Sequence, residues 1–156
     1  MEDILKRAKK VAEEAEVFLA SSRETPVGFE ANRLKRLETR ESTSVSLRIV
    51  KDGRIGFAST TRLDDPQAVV DMAVESAQFG AEARFVLPGA QRYPQIEVYD
   101  ARVKEVAIER MVEIGDSLIA MVRNHTPELI CEAGVAKSVG TVEILNSRGG
   151  QASYRK

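Results

Sequence analysis

Few side chains in this sequence can do chemistry, and their spacing limits what they can do. There is one histidine, His125, one cysteine, Cys131, and no tryptophan. A protein-built zinc site draws three or four ligands from His, Cys and carboxylates. His125 and Cys131 lie six apart, with no second histidine or cysteine, so no metal site is expected in this chain. His125 stands between Asn124 and Thr126-Pro127. An imidazole is a candidate general base, but no Ser, Cys or Asp stands at a recognisable motif spacing from it. A histidine that ends a helix more commonly meets the last free carbonyls. Cys131 sits in the apolar run Leu129-Ile130-Cys131. Without an activating motif it is expected to behave as a small buried hydrophobe.

The remaining charged and glycine-bearing stretches read as structure. Arg33-Leu34-Lys35-Arg36 with Arg40 is the densest basic cluster. A nucleic-acid footprint needs a larger surface of one sign. Glu30, Glu38 and Glu41 interleave this one, which favours charge pairs across strands on a solvated face. Gly53-Arg54-Ile55-Gly56 and Ser147-Arg148-Gly149-Gly150 match neither phosphate-loop pattern and lead into no helix; both suit hairpin turns. Asp64-Asp65 reads as a helix cap, and Glu13-Glu14 as a helix surface. No catalytic, cofactor-binding or metal-binding residue is assigned.

These residues must be positioned by a modest chain. Its 156 residues, 43% hydrophobic and 30% charged, describe one ordinary globular domain. A chain this long can bury roughly 70% of its unfolded surface without staples. The net charge of −1 gives no reason to expect nucleic acid or an anionic membrane as partner. MEDILKRAKK lacks the apolar run of a signal peptide, and no stretch is apolar for long enough to span a bilayer. With a lone cysteine, a cytoplasmic location is expected.

Along the chain, residues 2 to about 14 carry Ile4, Leu5, Ala8, Val11, Ala12 and Ala15 at helical spacing. From Glu16 the period becomes two, in runs around Val17-Leu19-Ser21 and Val27-Phe29-Ala31. Pro26 between them suits an edge or a bulge. Residues 34 to 39 suggest a third strand. Residues 44–50 alternate cleanly, Asp52-Gly53 follows, and residues 54–59 alternate again. This is a strong hairpin signal, because the turn needs positive φ. Asp64-Asp65-Pro66 starts a helix with the stripe Val69, Val70, Ala73, Val74 and Ala77, ending near Gly80. Residues 84 to 100 form an irregular connection with an extended piece at Ile96–Tyr99. A third helix is predicted from about Val103 to Arg123, ended by Thr126-Pro127. Its stripe is Ala107, Ile108, Met111, Val112, Gly115, Leu118, Ile119 and Val122. Leu129–Ala136 and Ser138–Leu145 read as two strands, and Gln151–Lys156 begins another. The sum is an α+β fold, a mostly antiparallel sheet built from hairpins with about three helices packed on it.

Ala15-Glu16-Val17-Phe18-Leu19, Val45 through Thr61, the helix after Asp65-Pro66, and Ile144 through Gly149 resemble one family in the same order. It is the amino-terminal domain of the TldD/PmbA proteins, also labelled modulators of DNA gyrase. The Ala-Glu-Val strand start and the closing Ser-Thr-Thr are more like the PmbA (TldE) branch. The resemblance implies a cytoplasmic protein extending well past Lys156, whose subunits pair with each other or with themselves. It implies zinc-dependent proteolysis of unfolded or small peptides, with the metal held only in a TldD-type subunit by an H-E-x-x-x-H helix and a distant cysteine. His125 is followed by Thr-Pro-Glu, so no such residue carries over and the chain alone is expected to be inactive. The alternative is a regulatory binding module acting on DNA gyrase or nucleic acid.

Overall fold

A computed structural model describes residues 1–94 and 96–156. Among the described residues the chain is α+β: a six-stranded, mostly antiparallel sheet with four helices, three of them seven residues or longer. In chain order these are α1 (Glu2–Ala8), β1 (Glu14–Glu30), β2 (Arg33–Leu37), β3 (Arg40–Lys51), β4 (Arg54–Thr60) and α2 (Pro66–Ala77). There follow α3 (Arg102–Glu105), α4 (Ile108–His125), β5 (Ala133–Asn146) and β6 (Gln151–Arg155). The sheet order is β4-β3-β1-β5-β6, with β2 paired to β1. Contacts divide the chain into two compact units. The first comprises Met1–Ser21, Ser42–Glu97 and Thr141–Arg155; the second comprises Ser22–Glu41, Val98–Gly140 and Lys156.

The first unit has a core of Ile4, Ala8, Ala15, Val17, Val45, Leu47, Ile49, Ala58, Val69, Val70, Ala73 and Ala77. The hairpin predicted at Asp52-Gly53 is present, pairing Val45 with Thr60 through Lys51 with Arg54. Asp52 and Gly53 have φ of 51° and 71°, the double left-handed turn that matches strand twist. Helix α2 starts as the sequence suggests: Pro66 opens it and the Asp65 carboxylate accepts the Ala68 amide at 3.0 Å.

Helix α1 is shorter than its periodicity predicts. It ends at Ala8, and the Glu13 amide already donates to the Val50 carbonyl at 2.9 Å. Ala12 and Ala15, read as helical positions, reach the same core as Ile4 and Ala8 from a turn and a strand, so burial alone mimicked a helical stripe. Glu13 and Glu14 therefore do not lie on a helix surface. Glu13 accepts the Asp52 amide at 3.0 Å, and Glu14 accepts the Leu87 amide at 2.8 Å. The extended piece expected at Ile96–Tyr99 is absent; those residues belong to no strand.

In the second unit Val27, Phe29, Met111 and Ile119 form the core, with Val106, Val112, Cys131, Ala133 and Val135 against it. The single long helix predicted here is broken. Val106 and Ala107 adopt extended ψ of 115° and 150°, separating α3 from α4. The Lys137 ammonium donates to the carbonyls of Lys104 (3.2 Å) and Val106 (2.5 Å), satisfying groups that the break leaves without helical partners. Lys137 also explains the predicted strand break. It occupies an inward-alternating position of β5 between Val135 and Val139, where a lysine looks like an interruption. Its charge reaches the carbonyls instead, and β5 runs unbroken for 14 residues. The strand does not include Leu129–Glu132. Pro26 lies inside β1, and the register irregularity falls two residues later, between Gly28 and Phe29.

Candidate functional site

The short motifs that carry the family resemblance turn out to be clasps. The Asn146 side chain is buried. Its carbonyl oxygen accepts the amides of Arg148 (2.9 Å) and Gly150 (2.8 Å), while its amide donates to the Pro88 carbonyl at 2.9 Å. Ser147 exchanges two bonds with Ala15: its amide donates to the Ala15 carbonyl at 2.7 Å, and its hydroxyl accepts the Ala15 amide at 3.0 Å. Gly149 has φ of 84°, which an L side chain adopts only with strain. One short motif thus closes the β5–β6 turn and fastens it to β1 and to the segment after α2. In the preceding motif, Gly56 lies so near the Ala73 carbonyl and the Ala77 methyl that a Cβ would collide. Neither motif presents a nucleophile or a proton-transfer pair.

A cleft that gathers opposite charges lies within the second unit. Asn32, Asp116, Ile119, Ala120, Arg123, Asn124 and Pro127 line an open cleft of about 560 Å³. One wall is the tip of the β1–β2 hairpin, where Ala31 and Asn32 both take positive φ (48° and 64°). Asn32 is held at three points. Its amide donates to the Cys131 carbonyl (3.1 Å), its side-chain oxygen accepts the Cys131 amide (2.8 Å), and its side-chain nitrogen donates to the Leu129 carbonyl (3.3 Å). The other wall is the second half of α4, whose inward stripe of Met111, Gly115 and Ile119 packs on the core. On that wall the Arg123 guanidinium donates from Nε (3.3 Å) and Nη2 (3.2 Å) to the Pro127 carbonyl. Asp116 takes part in none of the side-chain hydrogen bonds or ion pairs found among the described residues.

The residues singled out from sequence do not converge here. His125 ends α4, exposed, with Nδ1 3.0 Å from the Thr126 hydroxyl. Cys131 is half-buried beside the second core rather than fully inside it. In the basic cluster Arg36 and Arg40 both face Glu38, at 3.7 and 2.5 Å, and Arg23 pairs with Glu41 at 3.3 Å. Two of these three pairs are neighbours in the turn rather than partners across strands. Among the described residues no group of three or more His, Cys, Asp or Glu is placed to hold a metal ion. Asn32 was missed in the sequence; its signal was an Ala-Asn pair between two strand runs, since asparagine tolerates left-handed φ.

Residues 15–77 match the family model described as PmbA/TldA metallopeptidase domain 1. Over that segment the chain is similar to the first domain of PmbA/TldD-type proteins. The matched segment takes in all of β1 but its first residue, together with β2, the β3–β4 hairpin and α2. An uncharacterised protein of Methanocaldococcus jannaschii is 26% identical over 153 residues, covering 96% of this chain and 35% of that protein. The fold matches that of TldE from Thermococcus kodakarensis with a TM-score of 0.85 and 22% identity, over 99% of this chain and 36% of that one. A Thermotoga maritima protein described as a modulator of a DNA gyrase gives 0.79 and 16%, over 99% and 37%. A Bacteroides thetaiotaomicron protein with a similar description gives 0.77 and 21%, over 99% and 38%. At these identities the structures establish the shared fold. The chain spans about a third of the length of these relatives. No helix of the described residues is long and apolar enough to cross a membrane.

Proposed function

We propose that this chain is the amino-terminal part of a cytoplasmic PmbA/TldD-type peptidase subunit, nearer the PmbA (TldE) branch. It shapes the chamber and subunit interface for proteolysis of small or unfolded peptides, and it is inactive alone. The observation that carries this reading is the metallopeptidase domain 1 match over residues 15–77, together with motifs that serve the fold rather than chemistry. Zinc belongs in this reading to a TldD-type partner subunit, or a self-associated family subunit, and not to this chain. The exposed sheet edges offer backbone groups to which an extended peptide can add as a strand.

The test is direct. Purified chain should bind no stoichiometric zinc and cleave no peptide; tight zinc at one equivalent, or peptidase activity, would overturn the proposal. The rival, a binding module acting on DNA gyrase or nucleic acid, is favoured only by the descriptions of two structural relatives.

A further inference from the structure

We propose that the cleft between α4 and the β1–β2 turn binds the free ends of a short peptide of about three residues. The choice of peptide over other zwitterions rests on the peptidase reading above; the geometry stands on its own. Among the described residues lining the cleft two are ionic, Asp116 and Arg123, and they carry opposite charges. Seven residues apart on one helix, their backbones are separated by about 10 Å along the axis. An extended chain rises about 3.3 Å per residue, so a tripeptide spans the backbone separation of the two residues.

The two groups are prepared differently. Arg123 is held over the cleft by its bonds to the Pro127 carbonyl. A guanidinium has five N–H donors, so others remain for a carboxylate, in the planar geometry that arginine suits. Asp116 has acceptor oxygens and no side-chain partner among the described residues, which fits an incoming ammonium. Ile119, Ala120 and Pro127 give an apolar floor for small side chains. Asn32 is fully engaged with Leu129 and Cys131 and acts as a wall, fixing the width of the cleft.

The experiment is a titration of ¹⁵N-labelled chain with trialanine, followed by ¹H–¹⁵N spectra. Amide shifts should move at Asn32, Asp116, Ile119 and Arg123. Because the charges are exposed, amidating the peptide or substituting Arg123→Gln should each weaken binding by about threefold. Doing both should cost no more than either alone. Acetylated peptide and Asp116→Asn form the corresponding pair. That non-additivity separates contact with the peptide from a structural role. Shifts confined to other residues, no saturable shift, or additive losses in both pairs would overturn the proposal. Loss of this site leaves the peptidase reading standing, since that is decided by zinc and cleavage.

Discussion

At the residue scale, the strongest constraints come from side chains that satisfy backbone rather than from groups that react. Asn146 is the clearest. Replacing it with alanine strips acceptors from the Arg148 and Gly150 amides and a donor from the Pro88 carbonyl. Leaving buried groups unpaired costs about 1–3 kcal/mol each where water cannot reach, so Asn146→Ala should lower the denaturant midpoint by an amount equivalent to about 2–3 kcal/mol. Gly115 gives the opposite of the usual helix rule. Glycine to alanine inside a helix gains about 1 kcal/mol in propensity, yet a Cβ here would strike the Phe29 ring, which is itself fully buried. Overpacking costs about 1–3 kcal/mol, so Gly115→Ala should lower the melting temperature.

At the element scale, helix ends decide local stability. Asp65 caps α2 through the Ala68 amide, and Asp65→Ala should cost about 1 kcal/mol, read as a shift in urea midpoint at unchanged slope. At the start of α3, Asp100 accepts side-chain and backbone hydrogen bonds from Arg102. Both hold its carboxyl below the usual aspartate value, the side-chain bond most strongly. A depressed folded pKa means the stabilising contribution is present above the unfolded value and fades as pH falls through the folded one. Carbon-detected NMR titration should find Asp100 titrating low, and Arg102→Ala should move its midpoint upward. An unchanged midpoint would remove the pair as the cause. Exposed as this pair is, its effect on overall stability should be slight.

At the scale of the molecule, charge balance argues against a nucleic-acid role. The net charge is −1, and the arginines nearest the basic run face Glu38 and Glu41. Counterion release needs several unpaired cations on one surface. A gel-shift titration with duplex DNA at low salt should therefore detect no specific complex, and salt-dependent binding would revive the gyrase-directed reading. The apolar residues gather into two cores, one under α1 and α2 and one under α4.

The sequence by itself determined what depends on neighbours along the chain. Turn chemistry set the β3–β4 hairpin, a cap and a proline set α2, and alternation set the inward faces of β3 and β4. Only the tertiary structure decided where α1 stops, why α3 and α4 separate, and why β5 continues through Lys137. In each case the deciding interaction joins residues roughly 30 to 40 positions apart: Glu13 with Val50, and Lys137 with Lys104 and Val106. The cleft is of the same kind, since Asn32 meets α4 only because Cys131 and Leu129 hold it there. Periodicity reports which side of an element is buried; it does not report which distant carbonyl a lysine or an asparagine will find.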